Sequence, residues 1–321
     1  MSTTGYRSVA LAVALTGILP CSQGAAQNVR TYVSETGGGP PCILATPCGT
    51  IQQAHDNTDA GGEVLCLDAG PAATVSAVTI TKSITIDCRG SSRDVIVNAA
   101  GITVTLRNLT LNSLGRPAET GIGIDFRNGA ALFLENCVIQ DWNPSAAGPG
   151  IGIRFAPPAG VTAKLHVTDC VIRNNGLPAS GGGIIIQPSG SGSARALIER
   201  TRVENNTYGI FANGMGSTGL ISVQIKDSVV ANNTVNGISA FTSAGHATTS
   251  ITVDRSSSLL NGADGILAQG PNAFVILANS TAISNVTGLH AVGGGNIFSY
   301  QNNQLTGNVT DGAPTAMLTV R

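Results

Sequence analysis

The chain has 321 residues, of which 41 are glycine, 4% aromatic and 11% charged, with a net charge of −1. That charge leaves no basic stripe for nucleic acid and no acidic tail. So few large side chains argue against a conventional globular core and for thin, stacked layers of small and β-branched residues.

Residues 1–26 read as a secretory signal. Arg7 supplies a weak positive start, Val9 to Leu19 is an uncharged stretch of signal length, and Gly24-Ala25-Ala26 offers small residues for cleavage before Gln27. The uncharged stretch is too short for a hydrocarbon core of about 30 Å, so no membrane span is expected after its removal. Pro20 disfavours a lipoprotein reading at Cys21. The expected location is secreted, periplasmic or at the cell surface.

Residues 27–62 read as a strand from Asn28 to Gly39, a turn-rich Pro-Cys segment, and a helix over Thr50 to Ala60. Thr50 suits the N-cap, Ile51 and Ala54 share one face, and Gly61-Gly62 ends the helix. Solenoids need their open ends covered, and this helix is a natural lid. From Glu63 the texture becomes β, with Val64 to Leu67, Val78 to Ile80 and Ile84 to Ile86 as short aliphatic runs between Gly, Pro and Ser. No linker divides residues 63–321, which read as one domain.

Two phrases then recur. The first is Gly followed by alternating aliphatics: Gly121-Ile122, Gly150-Ile151, Gly183-Ile184, Gly209-Ile210, Gly237-Ile238, Gly265-Ile266 and Gly288-Leu289. The second ends a strand on a polar residue: Asn108, Asn136, Asp169, Arg200, Asp227, Arg255, Asn279 and Asn302, at spacings of 28, 33, 31, 27, 28, 24 and 23. Such periods mean a solenoid whose units bury their apolar faces only by stacking. Leu132 and Leu134 point one way and Phe133 and Glu135 the other, and Asn136 then suits a left-handed corner. The expected fold is all-β: a right-handed parallel β-helix of nine or ten coils with an N-terminal capping helix. The residues after Gly, from Ile122 and Ile151 to Leu289, should form one inward row.

Apart from Cys21 there are six cysteines, Cys42, Cys48, Cys66, Cys88, Cys137 and Cys170. An even number suits disulfides in an exported chain, free thiols remain open, and no Cys-x-x-Cys or His spacing supports a metal site. Cys42 with Cys48 and Cys66 with Cys88 are the expected pairs. Cys137 and Cys170 each follow a corner residue. They should face inward on adjacent coils, as a disulfide or as stacked thiols.

Charges alternate in sign along the corner columns (Asp169, Arg200, Asp227, Arg255), as a structural ladder of ion pairs would. Asn-x-Ser/Thr sites at Asn108, Asn205, Asn232, Asn279, Asn285 and Asn308 read as structural corners rather than glycan acceptors.

The Gly-Ile coils and Asn corners of this chain resemble the pectin-lyase-like superfamily of right-handed β-helices. The stretch RTYVSETGGGPPCILATPCGTIQQA, with GGEVLCLDAG and AVTITKSITIDC, resembles the N-terminal part of exported, uncharacterised bacterial β-helix proteins over roughly residues 30 to 88. The superfamily includes pectate and pectin lyases, polygalacturonases and phage tailspikes, and its fold does not carry the chemistry. The Asn-Thr-Asp, Asp-Asp and Gly-His-Gly phrases of the hydrolases are absent here, and Gly245-His246-Ala247 is a partial echo. No catalytic residue, metal ligand or cofactor motif is assigned.

A ligand would lie on the outward face of the Gly-Ile strands. One outward column is expected to read Asp125, Arg154, Gln187, Asn213, Phe241, Gln269 and Val292, and the other Gly123, Gly152, Ile185, Phe211, Ser239, Leu267 and His290. Amides beside rings suit sugar, so Asp125, Arg154, Gln187, Phe211, Asn213, Phe241 and Gln269 are the candidate substrate-binding residues and polysaccharide the candidate partner. The leading expectation is a non-catalytic polysaccharide binder. A divergent lyase or hydrolase acting on acidic polysaccharide, drawing on Asp125 and Arg154 or on Asp141 or Glu119 from a loop, is the alternative. A structural or adhesin-like spacer is a third. The glycan, the oligomeric state and the final compartment are not legible.

Overall fold

The computed structural model describes residues 1–2, 28–68, 77–92, 94–113, 121–143, 148–177 and 180–319. The expected signal, with Cys21, lies outside the described residues save for its first two, and so do Glu119 and Thr120.

Each coil passes through three short strands and two tight corners. In one coil these are Ala131–Glu135, the left-handed corner Asn136, Val138–Gln140, the left-handed corner Asp141, and Ile151–Phe155, after which Thr162–Thr168 opens the next coil. Equivalent strands stack in parallel into three sheets of twelve, nine and nine strands among the described residues. We call them the long sheet (such as Ala131–Glu135), the short sheet (such as Val138–Gln140) and the glycine sheet (such as Ile151–Phe155). The stack of nine to ten coils is the expected parallel β-helix. Stacking satisfies backbone polar groups between coils and buries one row from each sheet.

The corner column is as the spacing predicts over most of its length. Asn108, Asn136, Asp169, Arg200, Asp227, Arg255 and Asn279 all have φ between 46° and 59°. Asn and Asp adopt this region readily, and Arg does not. Both arginines are held by bidentate pairing to the aspartate one coil earlier, Arg200 to Asp169 (2.9 and 3.2 Å) and Arg255 to Asp227 (2.8 and 3.2 Å). The guanidiniums hold both aspartates below the usual carboxylate range. The expected corner at Asn302 instead falls on Gln301, at φ 66°, because the pairing of Ser299 with Leu277 makes Gln301 the equivalent of Asn279.

The inward row corrects the expected register. Strand pairing stacks Ile124, Ile153, Ile184, Ile210, Ile238, Ile266 and Leu289. Ile122 and Ile151 are not in it; they pack with Ile185 in a separate cluster. The cause is the tandem Gly-Ile-Gly-Ile in these two coils, whose second Gly-Ile is the structural equivalent of Gly183-Ile184. Gly123 and Gly152, expected outward, therefore face inward. A Cβ on Gly123 would meet Trp142 Nε1 at 2.7 Å, and one on Gly152 would meet Asn175 Nδ2 at 2.9 Å. Each buried Ile or Leu of the row contributes roughly 1.5–3 kcal/mol.

The glycines face a buried asparagine ladder. Asn175, Asn206, Asn233, Asn261, Asn285 and Asn308 stack on successive coils, each Nδ2 donating to the next Oδ1 at 2.8–3.2 Å as far as Asn308. Trp142, fully buried, starts the series with its backbone N–H on Asn175 Oδ1. The neighbouring inward column narrows from Phe126 and Phe155, whose rings lie 4.4 Å apart, through Ile186 to Ala212, Ala240 and Ala268. The core thus thins as the coils shorten.

At the N-terminal end Arg30–Gly38 pairs in parallel with Glu63–Cys66 at the head of the long sheet. The helix spans Ile51–Asn57, shorter than expected. Thr50 Oγ1 accepts from the Gln53 N–H, and Ile51, Ala54 and His55 are buried. Thr58, not the glycine pair, ends it: the chain turns extended there and its hydroxyl donates to the Ala54 carbonyl at 2.7 Å. Disulfides Cys42–Cys48 and Cys66–Cys88, each with Cα atoms 4.7 Å apart, close the turn before the helix and join the first coils.

Cys137 and Cys170 are buried and free. They open a column continued by Thr201, Ser228, Ser256 and Ser280. Each sulfur or hydroxyl from Cys170 onward accepts the backbone N–H of the preceding member, at 3.1–3.4 Å. Each member, Cys137 included, donates to the carbonyl two residues earlier, at 2.7–3.4 Å. The thiols thus stand in for hydroxyls in a continuous ladder. The hydrogen-bonded Cys137 sulfur and burial both push the Cys170 thiol up.

Candidate functional site

The outward face of the glycine sheet is built by strands whose inward side is fixed by the Gly and Ile rows. With the register corrected, one outward column reads Asp125, Arg154, Ile185, Phe211, Ser239, Leu267 and His290. The next column aligns Asn213, Phe241, Gln269 and Val292. Gln187 follows Ile186 as Asn213 follows its register partner Ala212. The structure thus brings Phe211, Asn213, Phe241, Gln187 and Gln269 onto one wall, with Asp125 and Arg154 at its N-terminal end.

Asp125 and Arg154 form a closed pair rather than a free acid beside a free base. Asp125 is fully buried, and both its oxygens are taken by Arg154, from Nε at 2.7 Å and Nη2 at 2.6 Å. Arg127 Nε adds a third bond to Oδ2 at 2.7 Å. Two cations on one carboxylate leave a local excess of one positive charge.

Three rings gather in the middle of the wall, Tyr208 and Phe211 on one coil and Phe241 on the next. Tyr208 stacks on Phe211 with centroids 5.4 Å apart, and Phe211 faces Phe241 at 6.0 Å. A groove of ≈ 410 Å³ lies beside them, lined by Arg154, Ile185, Gln187, Tyr208 and Phe211 among others. Tyr208 was not among the residues expected from the sequence, although it directly precedes Gly209 in the recurring phrase. At the C-terminal end His290 Nδ1 lies 3.1 Å from both oxygens of Asp264. Ser239 Oγ, buried between the Phe211 and Leu267 levels, has no hydrogen-bond partner.

Among the described residues no three His, Cys, Asp or Glu side chains cluster as a metal site, and no helix is long and apolar enough to cross a membrane. Of the sequon asparagines, Asn108, Asn279, Asn285 and Asn308 commit Nδ2 to hydrogen bonds within the protein.

The family described as right handed beta helix region matches residues 94–256, about half of the chain. The chain belongs to that family, and its coils are those of a right-handed parallel β-helix. No curated protein and no solved structure matches it.

Proposed function

We propose that this is an exported β-helix protein that binds polysaccharide along the outward face of its glycine sheet without cleaving it. The observation that carries the reading is the ring series Tyr208, Phe211 and Phe241, spaced at 5.4 and 6.0 Å beside a groove edged by Arg154 and Gln187. Rings present flat apolar area to the faces of sugar rings, and amides fix their orientation. Asn213 and Gln269 extend the amide edge beside Phe241. Two disulfides suit an oxidising compartment.

The enzyme reading is less well supported. Lyase chemistry needs a base free to take a proton and a group to hold the developing charge. Arg154 spends two donors on Asp125, and Asp125 has no oxygen left uncommitted. A glycan-array screen, followed by titration calorimetry on the best oligosaccharide, tests the proposal. Phe211→Ala with Phe241→Ala should weaken binding at least tenfold while leaving the fold intact. An unchanged affinity in that double variant would remove the wall as the site.

A further inference from the structure

Across the described strands, charged residues that meet in register on neighbouring coils are of opposite sign. The pairs are Arg30 with Glu63, Asp87 and Glu135 with Arg107, Asp125 with Arg154, Arg173 with Glu204, and Glu199 and Asp254 with Lys226. This is what stacked strands favour, since directly opposed like charges repel. There is one exception. On the outward face of the long sheet Lys164 stacks directly on Arg195.

The surroundings of this pair do nothing to relieve the repulsion. Both side chains are exposed, and neither forms an ion pair among the described residues. Their outward column continues with Ala131 on one side and Ser222 and Ser250 on the other. The adjacent outward column reads Phe133, His166, Leu197, Gln224 and Thr252, again without an acid. Glu199, further along the Arg195 strand, is already bonded to Arg200 at 2.6 Å. The two cations therefore have no acid in their own outward column or in the next, and the nearest one on their strands, Glu199, is already paired.

Beside them lies an apolar platform. Phe133 and His166 meet edge to face with centroids 5.7 Å apart. With Leu197 and Leu220 they line a depression of ≈ 610 Å³ that also includes Lys164 and Arg195. We propose that this depression is a second ligand site, on a different sheet from the glycine wall, that takes an acidic oligosaccharide. One oxyanion of the sugar, a carboxylate or a sulfate, bridges Lys164 and Arg195, whose strands lie about 4.8 Å apart. Arg offers a planar fork to such a group and Lys a point charge. The sugar ring rests on Phe133 and His166, as apolar sugar faces rest on aromatic rings. The charged pair is uncompensated in the protein because the ligand supplies the compensating charge.

This inference does not depend on the reading of the glycine wall, and the test separates the two. Binding of oligogalacturonate, a sulfated oligosaccharide of similar length and a neutral oligosaccharide is measured by calorimetry at low and high salt. The proteins are the parent, Lys164→Ala with Arg195→Ala, and Phe211→Ala with Phe241→Ala. The expected result is that the Lys164/Arg195 variant loses at least tenfold in affinity for one of the acidic ligands, that the loss shrinks at high salt, and that the phenylalanine variant keeps this binding. Which acidic ligand is lost tells carboxylate from sulfate. Removing the repelling pair should also raise the thermal midpoint of the ligand-free protein at low salt. The proposal is overturned if acidic binding survives the Lys164/Arg195 change. It is equally overturned if inorganic sulfate binds as tightly as the oligosaccharides, or if the variant melts lower than the parent.

Discussion

Asn206 Oδ1 receives two hydrogen bonds from Asn175, from its backbone N–H at 3.0 Å and from its Nδ2 at 2.9 Å. Both residues are almost wholly buried, so these donors have no water to turn to. Asn206→Ala leaves the Asn175 N–H without its acceptor and its Nδ2 with the Ile139 carbonyl alone, and it removes the Nδ2 bond to Asn233 Oδ1, which keeps the backbone N–H of residue 206. An unsatisfied buried donor costs about 1–3 kcal/mol, so the variant should lose roughly 2–5 kcal/mol in urea unfolding. A loss below 1 kcal/mol would mean that the ladder is not a principal brace of the stack.

The glycine that faces this ladder should be equally intolerant. A Cβ at position 209 would lie 2.5 Å from the Gly237 carbonyl oxygen and from Val230 Cγ1. One contact is backbone and the other a buried β-branched side chain, so neither yields easily. Gly209→Ala should destabilise by roughly 1–3 kcal/mol or more, whereas Gly39→Ala, with open space around the new Cβ, should be close to neutral. Matched thermal melts of the two variants check this.

These elements differ in how far the sequence reveals them. The Gly-Ile phrase and the polar corners are local and periodic, so sheet identity, corner placement at Asn136 or Asp169 and the stack direction are legible. The tandem Gly121-Ile122-Gly123-Ile124 is periodic in itself, and only pairing with the neighbouring coil selects the second Gly-Ile. The asparagine ladder left a signal in the doublets Asn174-Asn175, Asn205-Asn206 and Asn232-Asn233. Its second member runs against the rule that polar residues face out, because its partner is another asparagine one coil away. The seven candidate wall residues do share a face, but the pairing of Asp125 with two arginines depends on side-chain reach, in Arg154 across coils. The like-charged contact of Lys164 with Arg195 is invisible until the long-sheet register is known.

The thiols of Cys137 and Cys170 should resist modification in the native protein. Cys170 Sγ accepts the Cys137 N–H at 3.3 Å and lies under the fold's surface with 1% exposure. A thiol reagent should modify them only in denaturant. Cys170→Ser keeps a group that accepts and donates at the same place, as Thr201 and Ser228 do in the next coils, and should cost less than about 1.5 kcal/mol. Cys170→Val leaves the Cys137 N–H without its acceptor and should cost about 1–3 kcal/mol. Equal stability of the two variants would remove the ladder explanation.

The helix that covers the first coil should loosen in mild acid. The His55 ring is buried, its Nδ1 sits 2.8 Å from Asp56 Oδ1, and its Nε2 accepts the Thr81 N–H at 3.3 Å. Burial lowers the His55 pKa from its ordinary value. The folded state therefore prefers neutral His55, and the unfolded chain takes up the proton first. Stability is full above about pH 6.5 and falls as pH drops below it toward the lower folded value. His55→Gln should flatten this part of the curve in melts taken between pH 8 and pH 5. A parent and variant with the same pH dependence would assign the loss elsewhere.

Asp125 separates a structural pair from a catalytic one. Removing it strands the Arg154 and Arg127 guanidiniums, but these are 28% and 40% exposed and can recruit water. Asp125→Ala should therefore destabilise by about 1–3 kcal/mol, below the roughly 3–5 kcal/mol of a fully buried pair. The freed Arg154 then lies unneutralised at the edge of the groove, so binding of uronate oligosaccharides to the glycine wall should strengthen, most at low salt. No release of unsaturated uronate from pectate or polygalacturonate is expected in the parent, with or without Ca²⁺. Release in the parent that disappears in Asp125→Ala or Arg154→Ala, with the fold retained at the assay temperature, would replace the binding reading by a lyase.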